Sequence, residues 1–255
     1  MNNLLDYFKK YKNLNPEICI ILGSGLNSFT SQITNQTVIK YSDIPNFFKT
    51  SVKGHSGKFI FGDIKGVSVL CAAGRFHYYE GYSFNQVSSI IDIFNIFNPK
   101  LCIITNSSGC LNLNWEIGDF MIANSFLDFS FRNSTLEKLY KTKSKYIKIA
   151  LDLAKSNGIA LRRGTYTYTM GPTYETPAEI NEIIKQGGNA VGMSTFPEFL
   201  KCEKLKIDSI FLSCMTNYGA GLIKKSSVNH KDVLVNAKLS IDNFCQLLNI
   251  IIQNI

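Results

Sequence analysis

The chain is poor in histidine, with three in 255 residues, and its seven cysteines include no Cys-x-x-Cys pair. An odd number of scattered cysteines indicates neither a zinc site nor a disulfide framework, so buried free thiols in a reducing compartment are expected. No apolar run approaches the ~18 residues of a membrane span, and the N-terminal stretch MNNLLDYFKKYKN lacks a signal-peptide core. The sequence therefore predicts a cytoplasmic protein with no metal site and no membrane partner.

Clustered charge is also missing. The formal net charge is +8, but no block of like charges and no basic face interleaved with aromatic residues occurs. This pattern argues against a nucleic-acid partner. The basic excess has two explanations, a compositional bias of the source genome or an anionic small-molecule substrate.

No linker, repeat or low-complexity tract divides the chain, so a single domain over residues 1–255 is predicted. Several apolar runs are apolar on both faces, which is typical of strands in a covered sheet. The sequence predicts an α/β fold with a central mixed, partly parallel β-sheet flanked by helices, whose ligands bind beyond the carboxyl ends of the strands. Strands are predicted at 18–22, 58–64, 67–73, 100–106, 119–126, 164–170 and 208–217, and helices at 84–97, 144–157, 177–187 and 230–252.

The stretch LGSGLN follows the first predicted strand and is a candidate anion site. Its glycines let the backbone turn tightly and present N–H groups, with Ser24, to a phosphate. A dinucleotide fingerprint is a second interpretation, supported by Asp43 but weakened by Ser28, which stands where that fingerprint requires glycine. An ordinary turn is the third.

Three further polar segments follow in order. GHSGKF carries His55 in a glycine-flanked loop, and GRFHYYEG carries Arg75, whose guanidinium offers a bidentate fork to an oxyanion. His77 points to the same side as Arg75 where the backbone is extended. ITNSSGCLN ends a buried strand with small polar groups and N–H donors. Taken singly, each segment is also explained by a satisfied polar group or an ordinary turn.

The second half of the chain supplies a carboxylate in MGPTYETPAEI, just before a helix start with Thr176 as its cap and Pro177 in the first turn. Because Glu175 can only accept hydrogen bonds when ionised, it would select ligands that present N–H groups. The other candidates of this half are Met193 and Ser194 in GNAVGMSTFPEF, Thr216 and Asn217 in SCMTNYGAG, and His230 in VNHKDVL.

With these segments in order, the chain resembles the trimeric-class purine nucleoside phosphorylases, in the branch acting on inosine and guanosine. The resemblance spans residues 18 to about 235 and implies a nucleoside phosphorylase-like fold and a homotrimer. The matching motifs are LGSGL, GHSGKFIFG, GRFHYYEGY, TNSSGCLN, GDFM, GPTYETPAE, AVGMSTFPE, TNYGAGL and NHKDVL.

The resemblance implies a role for each candidate residue. Phosphate would be held by Ser24, His55, Arg75, His77, Ser107 and Ser194. Ribose would contact Tyr79, Met193 and His230. The base would meet Tyr166, Glu175, Val191, Thr216 and Asn217, and the catalytic residues would be His77, Glu175 and Asn217. No metal or organic cofactor is implied, since inorganic phosphate is a co-substrate.

The implied reaction is reversible phosphorolysis of 6-oxopurine ribonucleosides or deoxyribonucleosides, in purine salvage. Cleavage of an N-glycosidic bond passes through an oxocarbenium-like state, with negative charge growing on the purine. A hydrogen bond from Asn217 to N7 would stabilise that charge, and Glu175 would accept N1–H, which adenine lacks. The related methylthioadenosine phosphorylases resemble this motif but carry Asp at the position of Asn217.

Between residues 120 and 146 the sequence departs from the family, since it is shorter and lacks the Gly-Pro-Asn and Arg-Phe-Pro runs. In the trimers this region lends an aromatic side chain to the neighbour's ribose site, a role for which Phe129 and Phe131 are the candidates here. The departure motivates one alternative, a nucleoside- or phosphate-binding homologue with little or no turnover. A dinucleotide-dependent oxidoreductase, resting on GSGLN and Asp43, is the other.

Overall fold

The computed structural model describes residues 2–50, 52, 55–130, 139–223 and 230–255. The strands in these ranges are β1 (Ile18–Leu22), β2 (Thr34–Lys40), β3 (Lys58–Ile64), β4 (Val67–Ala73), β5 (Leu101–Cys110), β6 (Phe120–Asp128), β7 (Leu139–Lys141), β8 (Leu161–Tyr168), β9 (Ala190–Gly192) and β10 (Ser209–Tyr218). The helices are α1 (Asn2–Lys9), α2 (Phe84–Val87), α3 (Ser89–Phe97), α4 (Tyr146–Ser156), α5 (Pro177–Lys185), α6 (Phe196–Leu205), α7 (His230–Leu239) and α8 (Ile241–Gln253).

These strands form one sheet in the order β10-β6-β8-β9-β5-β1-β4-β3-β2, with β7 beside β6. Because β10 also pairs with β5, the strands β5, β10, β6, β8 and β9 close into a ring, from which β1, β4, β3 and β2 extend. The pairs β1–β4, β1–β5 and β10–β5 are parallel, whereas β2–β3, β3–β4 and β10–β6 are antiparallel. The predicted mixed, partly parallel sheet is therefore confirmed.

The core has two parts because the central strands are apolar on both faces. In β1 the side chains of Cys19 and Ile21 join one cluster, and those of Ile18, Ile20 and Leu22 join the other. Helices α1, α3 and α6 contribute to the first cluster and α4, α7 and α8 to the second. Burial on both faces fits the continuous apolar run ICIIL and fixes β1 at the centre of the sheet.

The seven predicted strands are confirmed, and β1, β3 and β4 have the predicted bounds. Three strands were not predicted, because β2 is a mostly exposed edge strand and β7 and β9 have three residues each. Helices α1 and α6 were not predicted either. The predicted helix 84–97 is divided into α2 and α3 at Ser88, and the predicted helix 230–252 is divided into α7 and α8 at Ser240. The hydroxyl of each serine donates to the backbone carbonyl four residues earlier.

Strand β5 changes neighbours along its length, and this change positions the site. Residues 101–104 pair with β1, whereas Gly109 and Cys110 pair with β9. Strands β1 and β4 end side by side, with Leu22 opposite Ala73, so the polar segments that follow them emerge at the same edge. Such switch points at carboxyl ends are where open α/β sheets bind ligands.

Candidate active site

A cavity of about 280 Å³ lies at this switch point. It brings together eleven of the fourteen residues that the sequence analysis singled out, from segments spread between β1 and β10. Its size suits a small molecule rather than a polymer. The eleven are Ser24, Arg75, His77, Tyr79, Ser107, Glu175, Val191, Met193, Ser194, Thr216 and Asn217.

Arg75 is the principal cation of the cavity and is only 1% exposed. Its Nη1 donates to the hydroxyls of Ser194 and Thr195, each at 3.0 Å, and its Nε lies 3.1 Å from a carboxylate oxygen of Glu198. Its Nη2 has no hydrogen-bond partner among the described residues. A buried guanidinium with an unpaired nitrogen beside a cavity can receive an oxyanion.

His77 follows Arg75 by two positions and lines the same cavity. Its Nδ1 lies 3.2 Å from Glu80, which also accepts the backbone N–H of His77 at 2.8 Å. Because a carboxylate only accepts, this contact places the proton of the neutral imidazole on Nδ1. Burial lowers the pKa of His77 and Arg75 adds to this, against the opposing effect of Glu80, so the ring is neutral at pH 7.

The turn after β1 packs directly on β5. A Cβ on Gly23 would lie 2.6 Å from the Cα of Asn106, so only glycine permits this approach. The hydroxyl of Ser107 donates to the carbonyl of Ser24 at 2.7 Å, which ties the two segments together. A short 3₁₀ helix, Asn27–Gln32, follows the turn in place of the α-helix that a dinucleotide fingerprint requires. The dinucleotide interpretation is therefore wrong.

His55 does not line the cavity but lies at its margin. Its Nε2 is 3.4 Å from the Ser24 hydroxyl, and its ring centroid is 5.4 Å from that of His77. The ring of His77 in turn stacks on Tyr79 at 4.8 Å. The three rings thus form a row leading from the margin into the cavity.

Glu175 occupies the loop between β8 and α5. The start of α5 has the predicted Thr176 cap, Pro177 and a reciprocal bond with Glu179, which fix the end of this loop. The hydroxyl of Thr169 donates to Glu175 Oε1 at 2.6 Å. Burial raises the pKa of Glu175, and the Thr169 bond opposes that rise. An ionised carboxylate has about four acceptor positions, so Glu175 can still accept from a ligand.

Asn217 is aimed by an irregularity in β10. The register with β5 shifts between Met215 and Asn217, a β-bulge of the kind often found beside active sites. The Thr216 hydroxyl donates to Asn217 Oδ1 at 3.0 Å, and Asn217 Nδ2 donates to the carbonyl of Tyr218 at 3.1 Å. These bonds set the amide orientation and leave Nδ2 one further hydrogen to donate. Asn236 of α7 secures the bulge by donating to the Thr216 carbonyl at 2.7 Å.

Besides His55, two predicted site residues are not placed at the cavity surface. Tyr166 is fully buried behind Gly192, where an added Cβ would lie 2.4 Å from its hydroxyl, and it does not line the cavity. His230 is the first residue of α7, but its side chain lies outside the described residues, as does the whole of Phe131. Phe129 packs against the cluster that contains Val191, in its own chain.

Three polar residues that were not predicted form a connected group with Arg75. Asn106 lines the cavity, and Thr195 and Glu198 contact Arg75 from behind. A signal for Glu198 was available, because a lone carboxylate among apolar residues in TFPEF is expected to have a buried partner.

In the described part of the chain no group of three or more His, Cys, Asp or Glu could hold a metal ion. The helices described there include none long and apolar enough to cross a membrane. The seven cysteines are all buried and unpaired by disulfides.

The chain matches the Phosphorylase superfamily over residues 17–253. It is 33% identical to Purine nucleoside phosphorylase 1 of Geobacillus stearothermophilus, with 97% of this chain and 94% of that protein covered. It is 35% identical to Purine nucleoside phosphorylase 1 of Bacillus subtilis, covering 86% of this chain and 85% of that one. The Schistosoma mansoni purine nucleoside phosphorylase in complex with inosine superposes with a TM-score of 0.88 at 29% identity, covering 100% of this chain and 95% of that one. The chain belongs to the purine nucleoside phosphorylases of the phosphorylase superfamily.

Proposed function

We propose that this enzyme catalyses the reversible phosphorolysis of 6-oxopurine ribonucleosides and deoxyribonucleosides, with inosine and guanosine as substrates, in purine salvage. The products are the free base and ribose or deoxyribose 1-phosphate. The observation that carries the proposal is a single cavity that joins the unpaired guanidinium nitrogen of Arg75 to the acceptor Glu175 and the donor Asn217. Inorganic phosphate is the co-substrate, and no metal or organic cofactor takes part.

Phosphate binds between the segments that follow β1, β4 and β5. Arg75 Nη2 donates to one oxygen, with Ser194 held beside it by its bond to Nη1. Ser24 and Ser107, which are hydrogen-bonded to each other and line the same cavity, contribute the remaining hydroxyls. The neutral His77 accepts a hydrogen bond at Nε2 from the hydroxyl of monohydrogen phosphate, because Glu80 holds the ring proton on Nδ1. His55 closes the margin of this end.

The ribose lies between the anion and base ends. Tyr79 and Met193 line this part of the cavity, and Gly171 permits their close packing, since an added Cβ would lie 2.4 Å from the Met193 sulfur. Burial raises the pKa of Tyr79, so its hydroxyl stays protonated and can donate to a sugar oxygen. We assign the 5′-hydroxyl contact to His230.

The base end supplies both catalysis and selectivity. Asn217 donates to N7 as negative charge develops on the purine, an interaction worth about 3 kcal/mol in comparable sites. Glu175 accepts N1–H of a 6-oxopurine, whereas adenine would present a lone pair to the carboxylate and leave both acceptors unsatisfied. Val191 and Thr216 line this end, and Tyr166 supports it from behind Gly192.

The test is release of hypoxanthine from inosine by the purified protein, with and without phosphate, with guanosine and adenosine as parallel substrates. Phosphate-dependent release from inosine and guanosine, with adenosine left largely intact, is the expected result. Arg75→Ala should lose this release, whereas Arg162→Ala, which removes an arginine outside the cavity lining, should keep it. Nucleoside binding without any base release would instead support a binding homologue without turnover.

We further propose a cytoplasmic homotrimer. Phe129 is packed within its own chain, so Phe131 is the candidate for a ring donated to a neighbouring ribose site. Light scattering should give a mass about three times that of the 28.6 kDa chain. A monomer with full activity would refute both the trimer and the donated ring.

A further inference from the structure

Thr195 has a backbone conformation that β-branched residues rarely adopt. Its φ is 75° and its ψ is −41°, and the residue is fully buried. The N–H of Phe196 donates to the carbonyl of Ser194 at 2.8 Å, across Thr195, which makes this a tight and strained turn. Strain of this kind persists only where the surroundings enforce it, and it clusters at functional sites.

The Thr195 hydroxyl does not cap the helix that follows it, although a threonine at this position usually does. Thr195 precedes the first turn of α6, yet its side chain makes no capping bond to that helix. Its oxygen instead accepts from Arg75 Nη1 at 3.0 Å and from Asn106 Nδ2 at 2.9 Å. The strained turn therefore directs one hydroxyl to two side chains that both line the cavity.

Glu198, one turn further along α6, supplies the second contact from behind. Its carboxylate is completely buried and lies 3.1 Å from Arg75 Nε. The hydroxyls of Ser194 and Thr195 accept from Nη1, and Glu198 forms an ion pair with Nε without a hydrogen bond. Nη2 has neither kind of partner among the described residues and is therefore the nitrogen available to an anion. Glu198 also brings a negative charge that offsets the buried guanidinium before any ligand binds.

We propose that Thr195 and Glu198 are positioning residues that act on phosphate through Arg75, and that they do so in opposite senses. Thr195 orients the guanidinium and so strengthens phosphate binding. Glu198 keeps the buried arginine stable but repels the phosphate dianion, and so restrains its affinity and favours its release. This inference rests on the proposed phosphate site.

The test compares isosteric variants by the KM for phosphate and the KM for inosine. Thr195→Val keeps the branched shape in the strained turn and removes only the acceptor, so the phosphate KM should rise about fivefold or more, with the inosine KM changed less than about twofold. Thr195→Ser should restore the wild-type value. Glu198→Gln keeps the shape of the side chain and an oxygen beside Nε but removes the charge, and should lower the phosphate KM by roughly three- to tenfold. Glu203→Gln, an exposed change on the same helix, is the control.

Opposite shifts of the phosphate KM, with serine rescuing Thr195, would support the inference. Shifts in the same direction, or both within about twofold of wild type, would overturn it, because a purely structural role predicts no such split. If Glu198→Gln does not fold, the proposal is tested by the rise in melting temperature that added phosphate causes in the two Thr195 variants. This rise should be smaller for Thr195→Val than for Thr195→Ser. Equal rises would overturn the proposal. Phosphate affinity by calorimetry separates this inference from the proposed function, since it requires no turnover.

Discussion

Replacing Glu175 by glutamine should relax the choice between 6-oxopurines and adenine. The substitution preserves the size of the side chain and an oxygen that can accept from Thr169, which now donates to Glu175 at 2.6 Å. It removes the negative charge and adds an N–H group. The new amide can donate to the N1 lone pair of adenine, which the carboxylate cannot.

The magnitude follows from the surroundings of the carboxylate. A hydrogen bond to a charged group contributes about 1.5–3 kcal/mol, and a neutral bond about 0.5–1.5 kcal/mol. Where the single amide oxygen accepts from both Thr169 and N1–H, the difference of about 1–1.5 kcal/mol corresponds to a loss of roughly five- to twelvefold in kcat/KM for inosine. Because the Glu175 side chain is half-buried, the bond forms in a partly dehydrated site, so the larger loss is expected. Adenosine should gain, and the inosine-to-adenosine ratio should fall about tenfold or more.

The assay is base release from each nucleoside at saturating phosphate, with kcat and KM determined separately. Glu203→Gln makes the same chemical change on an exposed surface and should leave the ratio as it is in the wild type. Circular dichroism and the melting temperature establish that the variant is folded. An unchanged ratio in a folded Glu175→Gln enzyme would refute the assignment of Glu175 to N1.

Three further predictions concern the same end of the molecule. Asn217→Ala should lower kcat for inosine by about a hundredfold with a much smaller change in KM, because the N7 bond strengthens in the transition state. A rise in KM with kcat unchanged would place Asn217 in ground-state binding instead. Because burial raises the pKa of Glu175, its carboxylate becomes protonated at a higher pH than that of an ordinary glutamate. As the pH is lowered, the inosine KM should therefore start to rise above the usual range of a glutamate, and Thr169→Val, which removes a bond favouring the charged form, should move this rise to higher pH. Thr176→Ala removes the cap of α5 and should cost about 1 kcal/mol, seen as a melting temperature lower by about 2–4 °C; no change would show that the cap is dispensable.

Local chemistry made much of the fold predictable. The run ICIIL is buried on both faces, as its composition requires, and the cap before α5 is formed by the Thr and Pro that predict it. Strand β2 escaped prediction because an edge strand has no need of apolar side chains on either face, and most of its residues are exposed.

The candidate site was predictable where a motif follows its own strand. Arg75 and Asn217 lie at the ends of β4 and β10, so a short stretch of sequence places each at the correct edge of the sheet. Tyr166 shows the limit of that reasoning, because strand β8 buries its ring behind Gly192. Thr195 and Glu198 were missed because their importance depends on Arg75, which is 120 positions from Thr195 in the sequence.

The sequence by itself determined which segments are buried strands, where α5 begins, and which polar groups stand at strand ends, because each depends on side chains within a few positions of one another. Only the tertiary structure decided which of those groups meet. The cavity lies where β5 stops pairing with β1 and begins to pair with β9. The bulge at Thr216 turns Asn217 toward this cavity. Contacts of this kind depend on strand register and on close packing between distant segments, and no local pattern of residues encodes them.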